Sequence, residues 1–270
     1  MCVRHPDRST NISCSRCGRP SCPECLREAA VGFQCVDCVN EGRRTARRGT
    51  TVAGAEVGGR PLVVPTLIVL NVAIFAFTAF QARSIGDNFG SQLFRLWALD
   101  SQSVAAGDLW RLVTSGFLHF GPLHLAFNMY ALWVIGRDME LLLGRGRFLA
   151  VYLLGMLGGG AAVLVLQPDA LVAGASGAVF GLMGGLLVAL LRLRRSVNQV
   201  VILLAVNLAL GFFIPGISWQ AHVGGIVAGA AATAVLVYAP PARRGPVQIG
   251  GLAAITVLVL AVIAVALFVL

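Results

Sequence analysis

Seven stretches of this chain, about 62–80, 121–141, 148–166, 176–191, 199–213, 221–239 and 249–270, are apolar almost throughout. Most approach the ~20 residues that an α-helix needs to cross the hydrocarbon of a bilayer. The fourth and fifth are shorter, as expected of helices inside a bundle or in a thinned membrane. Composition agrees. Of 270 residues, 57% are hydrophobic and 12% charged, and the mean hydropathy is +0.81, values foreign to a soluble domain of this length. The expected fold class is an all-α polytopic membrane protein with seven transmembrane helices.

The formal net charge is +9, and with no lysine in the chain all 21 basic residues are arginine. Such a balance suits either nucleic acid or a membrane protein whose arginines fix its orientation, and placement separates the two. With the N-terminus in the cytoplasm, the returning connections hold Arg137, Arg145 and Arg147, then Arg192, Arg194 and Arg195, then Arg243 and Arg244. The short outward loops near 167–173 and 214–219 hold none. A long outward loop, about 81–118, balances Arg83, Arg95 and Arg111 with Asp87, Asp100 and Asp108. Each short connection obeys the positive-inside rule. An integral membrane protein with a cytoplasmic N-terminus and an outside C-terminus is expected, and nucleic acid is not an expected partner. The long loop also carries Leu93, Phe94, Leu96, Trp97, Leu99, Leu109, Trp110, Leu112, Val113 and Phe117. That content predicts short interfacial helices with tryptophan at head-group level.

All seven cysteines precede position 39. Residues 1–40 read Cys2-x-x-His5, Cys14-x-x-Cys17, Cys22-x-x-Cys25 and Cys35-x-x-Cys38. Eight ligands in four knuckles suit two structural Zn²⁺ ions, with Gly18 permitting a tight turn after Cys17. A disulfide scaffold would leave one cysteine over, and His5 completes the set only for a metal. Which knuckles share an ion stays open. The four-residue gap between Cys17 and Cys22 admits an interleaved arrangement, Cys2/His5 with Cys22/Cys25 and Cys14/Cys17 with Cys35/Cys38. The spacing resembles B-box and RING zinc fingers. So small a head would take most of its stability from metal, and its expected job is to bind a protein partner or regulate the body. No secretory signal peptide is expected in it. Residues 41–60, with Arg43, Arg44, Arg47, Arg48 and Arg60, read as a flexible basic linker facing anionic lipid head groups.

Polar residues in membrane helices are costly and are function hypotheses by default. His119, His124 and Asn128 open the second apolar stretch, and the last two share a helical face. Ser176 in Gly174-Ala175-Ser176-Gly177 opens the fourth, and His222 lies near the start of the sixth. In the deduced topology all point to one depth near the outer side. Gly177, Gly181 and Gly185, and Gly225 and Gly229, form small-residue faces that allow the fourth and sixth helices to come close. Ser176 would be the nucleophile and His222 its base. His124, Asn128 and the Ser176 N–H would receive charge developing on a carbonyl oxygen. With no acidic residue at that depth, a Ser-His dyad is expected, not a triad.

These residues, with Trp110-Arg111 and Ala221-His222-x-x-Gly225-x-x-x-Gly229, resemble the rhomboid intramembrane serine proteases over most of 62–240. The resemblance implies a six-helix core over 61–240 around a water-filled site open to the outer side, followed by an extra C-terminal transmembrane helix over 241–270. It also implies cleavage of transmembrane protein substrates without a catalytic cofactor, a structural role for His119, and a lateral gate at the fifth helix. Many members carry tyrosine where this chain has Phe180; ring packing is expected to survive and a hydrogen bond to be lost. The alternative reading is a catalytically inactive relative that binds membrane proteins. The usual signs of a transporter, interrupted helices in paired halves and ionisable residues at mid-membrane, are weak here, and a zinc module on a membrane anchor would need only one helix and not this histidine–asparagine–serine set.

Overall fold

The computed structural model describes residues 1–46, 49–214 and 216–270; Arg47 and Arg48 of the expected linker and Pro215 of an outward loop lie outside the described residues. The chain divides into two compact units, Met1–Gly49 and Thr50–Leu270.

In the first unit, β1 (Leu26–Glu28) and β2 (Phe33–Cys35) form an antiparallel hairpin with Leu26 opposite Cys35. α1 (Val36–Thr45) follows at once. The two buried clusters consist of six cysteines and Leu26, too little apolar surface to hold a fold. All seven cysteines are free thiols. Gly18 takes φ +72°, and its N–H donates to Cys14 O at 2.8 Å, closing the turn after Cys17.

The second unit is a helical bundle. α2 (Val63–Ala82) is followed by three short helices, α3 (Gln92–Trp97), α4 (Ser101–Ala105) and α5 (Arg111–Thr114). α6 (Gly121–Ala131) runs through a π-helical segment, Leu132–Gly136, into α7 (Arg137–Leu143). Then come α8 (Arg145–Leu166), α9 (Ser176–Arg192), α10 (Asn198–Phe213), α11 (Trp219–Tyr238) and α12 (Arg244–Val269). All seven apolar stretches are thus helical. α2, α8, α11 and the segment 241–269 are long and apolar enough to span a membrane on their own. α9 and α10 are shorter, and the α6–α7 stretch is interrupted at the π segment. Large apolar side chains such as Phe77, Phe80, Phe127, Tyr130 and Phe213 face outward, a surface that calls for lipid.

Glycine sets the bundle's centre. A Cβ at Gly225 would overlap Gly177 O, one at Gly229 would overlap Gly181 O, and Gly185 abuts Thr233. The two helices therefore run parallel in constant register, backbone against backbone. α8 crosses both in the opposite sense. A Cβ at Gly159 would lie 2.8 Å from Ala221 O, and one at Gly155 would lie 3.0 Å from Gly181 Cα. Without a hydrophobic drive between helices in lipid, such close approach is what holds them together. α12 packs outside, with Val259, Ile263 and Ala266 against Leu99, Val104 and Ala161.

At one end, the buried carboxylate of Glu140 caps α2. Its Oε1 accepts from Leu62 N–H at 2.6 Å and Val63 N–H at 2.9 Å, and its Oε2 accepts from Val64 N–H at 2.8 Å. A negative charge meets the positive end of a helix that has no side-chain cap of its own.

The flexible linker expected over 41–60 is only partly what its composition suggests. Residues to Thr45 continue α1. From Thr50 the chain is packed: Ala53 is fully buried, its carbonyl accepts from Gln248 Nε2 at 3.0 Å, and Thr51 Oγ1 donates to Leu142 O at 2.6 Å. Glycine and threonine, which read as flexible, here build a tight turn in which Thr50 pairs with Glu56. The long loop also departs from a purely interfacial reading. Phe94, Leu99 and Leu112 are buried, whereas Leu96, Leu109 and Trp110 are exposed. Arg111 fastens it: Nη1 donates to Arg95 O at 2.8 Å and Ala98 O at 2.9 Å, and Nε pairs with Asp108 at 2.9 Å.

Candidate active site and metal centres

Ser176 is the first residue of α9, and its N-cap, Ala175, offers no side-chain acceptor. The N–H groups of the first turn, that of Ser176 included, therefore lack partners within the helix. The turn before it requires glycine twice over. Gly174 has φ +134°, a conformation that L side chains rarely adopt. A Cβ there would also lie 2.7 Å from His124 Cε1, 2.9 Å from His124 Nε2 and 3.7 Å from Ser176 Oγ. The bare backbone thus lets the imidazole and the hydroxyl flank one point. Gly174 N–H donates to Ser115 O at 2.9 Å, which ties this turn to the loop before α6.

Phe120 N–H donates to His124 Nδ1 at 3.2 Å. A neutral imidazole whose Nδ1 accepts must carry its proton on Nε2, so His124 presents a donor beside Gly174 and Ser176. Asn128, one turn on, is buried and donates from Nδ2 to His124 O at 2.9 Å. That leaves the second amide proton uncommitted.

His222 is placed by the start of α11. Ser218 caps the helix by accepting from Ala221 N–H at 3.2 Å, and Ser218 Oγ donates to Gln167 Oε1 at 2.8 Å. The imidazole is buried and stacks on Phe180, with centroids 3.9 Å apart and an interplanar angle of 9°. Phe180 lies one turn beyond Ser176 on the same face of α9, so the base candidate covers the face that carries the hydroxyl. The ring packing expected at Phe180 is present. No hydrogen bond joins Ser176 Oγ to His222, and His222 Nδ1 has no partner. Such contacts are often loose before substrate binds and tighten in the complex.

His119 is fully buried, 5.2 Å from His124 ring to ring in an edge arrangement, with neither ring nitrogen bonded. A cavity of about 30 Å³, lined by Ser115, Gly159, Ser176, Gly177 and Ala221 among others, adjoins the hydroxyl. A cavity needs only about 10–15 Å³ by this measure to hold a water molecule, so there is room for one here.

Sequence reasoning missed Asn88. Its amide donates to Thr78 Oγ1 at 3.0 Å and His119 O at 2.9 Å, and its Oδ1 accepts from Gly121 N–H at 3.0 Å. An asparagine in a polar loop carries no signal of this. Ser218 was missed as well, though a serine just ahead of an apolar run is a helix-capping signal that could have found it.

In the first unit the knuckles interleave. Cys2, His5, Cys22 and Cys25 form one cluster and Cys14, Cys17, Cys35 and Cys38 the other, with ligand atoms within 4.8 Å of one another. Cys17 Sγ and Cys35 Sγ are 3.8 Å apart, and His5 Nδ1 lies 3.3 Å from Cys22 Sγ and 3.4 Å from Cys25 Sγ. A tetrahedral ion with Zn–S bonds of ~2.3 Å needs sulfurs about 3.8 Å apart, so both donor sets fit. Within each set the thiols divide: burial pushes Cys25 up to about 11, and the hydrogen bond with Cys17 pushes Cys38 up to about 12, while backbone N–H groups favour thiolate at one cysteine of each. The N–H of Cys22 holds the Cys2 thiol down to about 6, and the N–H of Cys35, 3.2 Å from Cys14 Sγ, does the same for Cys14.

Comparison with known proteins gives a match to the Rhomboid domain model over residues 106–239. The chain is 35% identical over 191 residues to Rhomboid protease GluP of Bacillus subtilis, a match covering 69% of this chain and 37% of that protein. It is 32% identical to RHOMBOID-like protein 4 of Arabidopsis thaliana, covering 63% of this chain and 51% of that protein. It is 31% identical to Putative rhomboid protease YdcA of Bacillus subtilis, covering 62% of this chain and 84% of that protein. The chain thus spans between about a third and a half of the first two relatives and most of the third.

Proposed function

The chain belongs to the rhomboid family, and on that premise we propose that it is an intramembrane serine endopeptidase acting on transmembrane proteins. Ser176 Oγ attacks the carbonyl carbon of the scissile peptide while His222 takes the hydroxyl proton. The carbonyl oxygen becomes an oxyanion, received by His124 Nε2–H, the free amide proton of Asn128 and the Ser176 N–H. His222 then returns the proton to the leaving amine, and an acyl-serine remains. Water, deprotonated by His222, attacks the acyl carbon; the carboxylic acid leaves and Ser176 regains its proton. No acidic partner or cofactor takes part.

The observation that carries this reading is the closeness of Gly174, His124 Nε2 and Ser176 Oγ at an uncapped helix start, under an imidazole stacked one turn away. Donors fixed before charge develops are the largest single source of acyl-transfer catalysis. The test is cleavage of a transmembrane reporter. Wild type should release product; Ser176→Ala and His222→Ala should not. Equal cleavage by wild type and Ser176→Ala would remove the dyad.

The head completes the reading: the two clusters hold structural Zn²⁺ ions, and the head serves a protein partner or regulates the protease. The N-terminus is cytoplasmic, the site opens to the outer side and the C-terminus is outside, as the arginine pattern supports.

A further inference from the structure

The end of the bundle away from Ser176 contains a second cavity. On α8, Gly159 abuts Gly177 and Ala221 at the level of the site. Arg145, at the start of the same helix, is about 21 Å away at the ~1.5 Å rise per residue of an α-helix. There the packed segment 54–61 and the turn between α7 and α8 border an open pocket of about 420 Å³, lined by Gly54, Glu56, Arg60, Glu140, Arg145 and Arg147 among others, with Arg60 and Arg145 exposed at its mouth. That is the size of a small-ligand site.

Its walls are fixed. Glu140 accepts from the three N–H groups of Leu62, Val63 and Val64, and Thr51 anchors the neighbouring turn to Leu142. Arg145 Nη2 donates to Arg60 O at 3.2 Å. Arg147 donates from Nε to Gln248 Oε1 at 2.8 Å and from Nη1 to Leu143 O at 3.4 Å. Those bonds orient the side chains and leave most of their donors unused, since each guanidinium has five N–H groups. Among the described residues, none of Arg60, Arg145 and Arg147 is in an ion pair. Arg244 reaches the same wall: a Cβ on Gly54 would lie 2.9 Å from its Nη1, and its Nε is buried without a partner. Orientation in a membrane asks only for arginines on the surface. It does not ask for guanidiniums held by hydrogen bonds around a void.

We propose that this cavity binds a phosphate group, that of an anionic phospholipid of the leaflet facing this end of the bundle. Guanidinium is the side chain suited to phosphate, through paired charge-assisted hydrogen bonds, and the first turn of α8, which has no side-chain cap, adds backbone donors to the same place.

The test uses the full chain in a neutral detergent, with thermal unfolding followed as phosphatidylglycerol, phosphatidylcholine or inorganic phosphate is added. Wild type should show a saturable rise in Tm with phosphatidylglycerol that phosphatidylcholine does not reproduce. Arg60→Gln/Arg145→Gln should weaken the apparent affinity about tenfold or more. A control, Arg194→Gln/Arg195→Gln, removes equal charge outside the cavity and should keep wild-type affinity. Gly59→Leu narrows the cavity without touching charge and should weaken binding as well. A saturable response to inorganic phosphate alone, lost in Arg60→Gln/Arg145→Gln, would keep the phosphate site and assign it to a free anion. Equal weakening in the cavity and control variants, or no saturable response to either phosphate source, would overturn the proposal. Should Arg60→Gln/Arg145→Gln not fold, Gly59→Leu decides alone: unchanged affinity there overturns the proposal.

Discussion

At the scale of single residues, the site depends on one missing side chain. Gly174 is under two constraints, a positive φ and the His124 ring. Gly174→Ala should therefore lower kcat by about 100-fold or more, the effect of losing one oxyanion donor, because the new methyl displaces His124. Thermal stability should fall far less than activity, and measuring both on one preparation checks this. Phe180→Ala removes the surface on which His222 stacks. It should lower kcat more than it raises KM, since in the proposed mechanism the ring serves only to position the base. Much of the site was readable from spacing: His124 and Asn128 share a face, and Ser176 and His222 each open a helix. The tautomer of His124 was not readable, because Phe120 N–H becomes its partner only through the local turn. Nor was Asn88, whose partners on α2 and at the start of α6 are brought together by the fold alone.

At the scale of elements, the pairing of α9 with α11 sets the distance across which the proposed dyad must act. Gly225 and Gly229 meet backbone oxygen atoms of Gly177 and Gly181. A branched side chain at either glycine must push the helices apart. Gly225→Val should abolish cleavage and destabilise the bundle by about 3 kcal/mol, read by denaturant unfolding in detergent micelles. Glu140 is the other element-level device. Glu140→Ala strands three N–H groups at the start of α2 and should cost on the order of 3 kcal/mol, with a fall in Tm and no change in cleavage specificity. The small-residue spacing on both helices announced the first device. An acidic residue within an apolar stretch was a signal for the second, but its partners lie at the start of a helix some 76 residues earlier.

At the scale of the whole molecule, two compact units stabilised in different ways share one chain. The body is held by close helix contacts and lipid; the head has thiols where a core would be. Purified protein should carry two zinc ions per chain by elemental analysis. A strong chelator should unfold residues 1–46 while reporter cleavage in detergent persists; loss of the body's helical signal on chelation would contradict independent units. The interleaving of ligands was left open by spacing alone and became visible only in space, since the turn at Gly18 and the β1–β2 hairpin decide which knuckles meet. The linker shows the same root. Gly and Thr in 50–60 signal mobility by composition, but the bond between Ala53 and Gln248, nearly two hundred residues apart, ties that segment down. What remains is the chemistry at Ser176, and it is most directly read by mass spectrometry after treatment with a fluorophosphonate in a bilayer mimetic. The adduct should map to Ser176 alone, be absent from Ser176→Ala and nearly absent from His222→Ala. An adduct on another residue that persists in Ser176→Ala would contradict the assignment of the nucleophile.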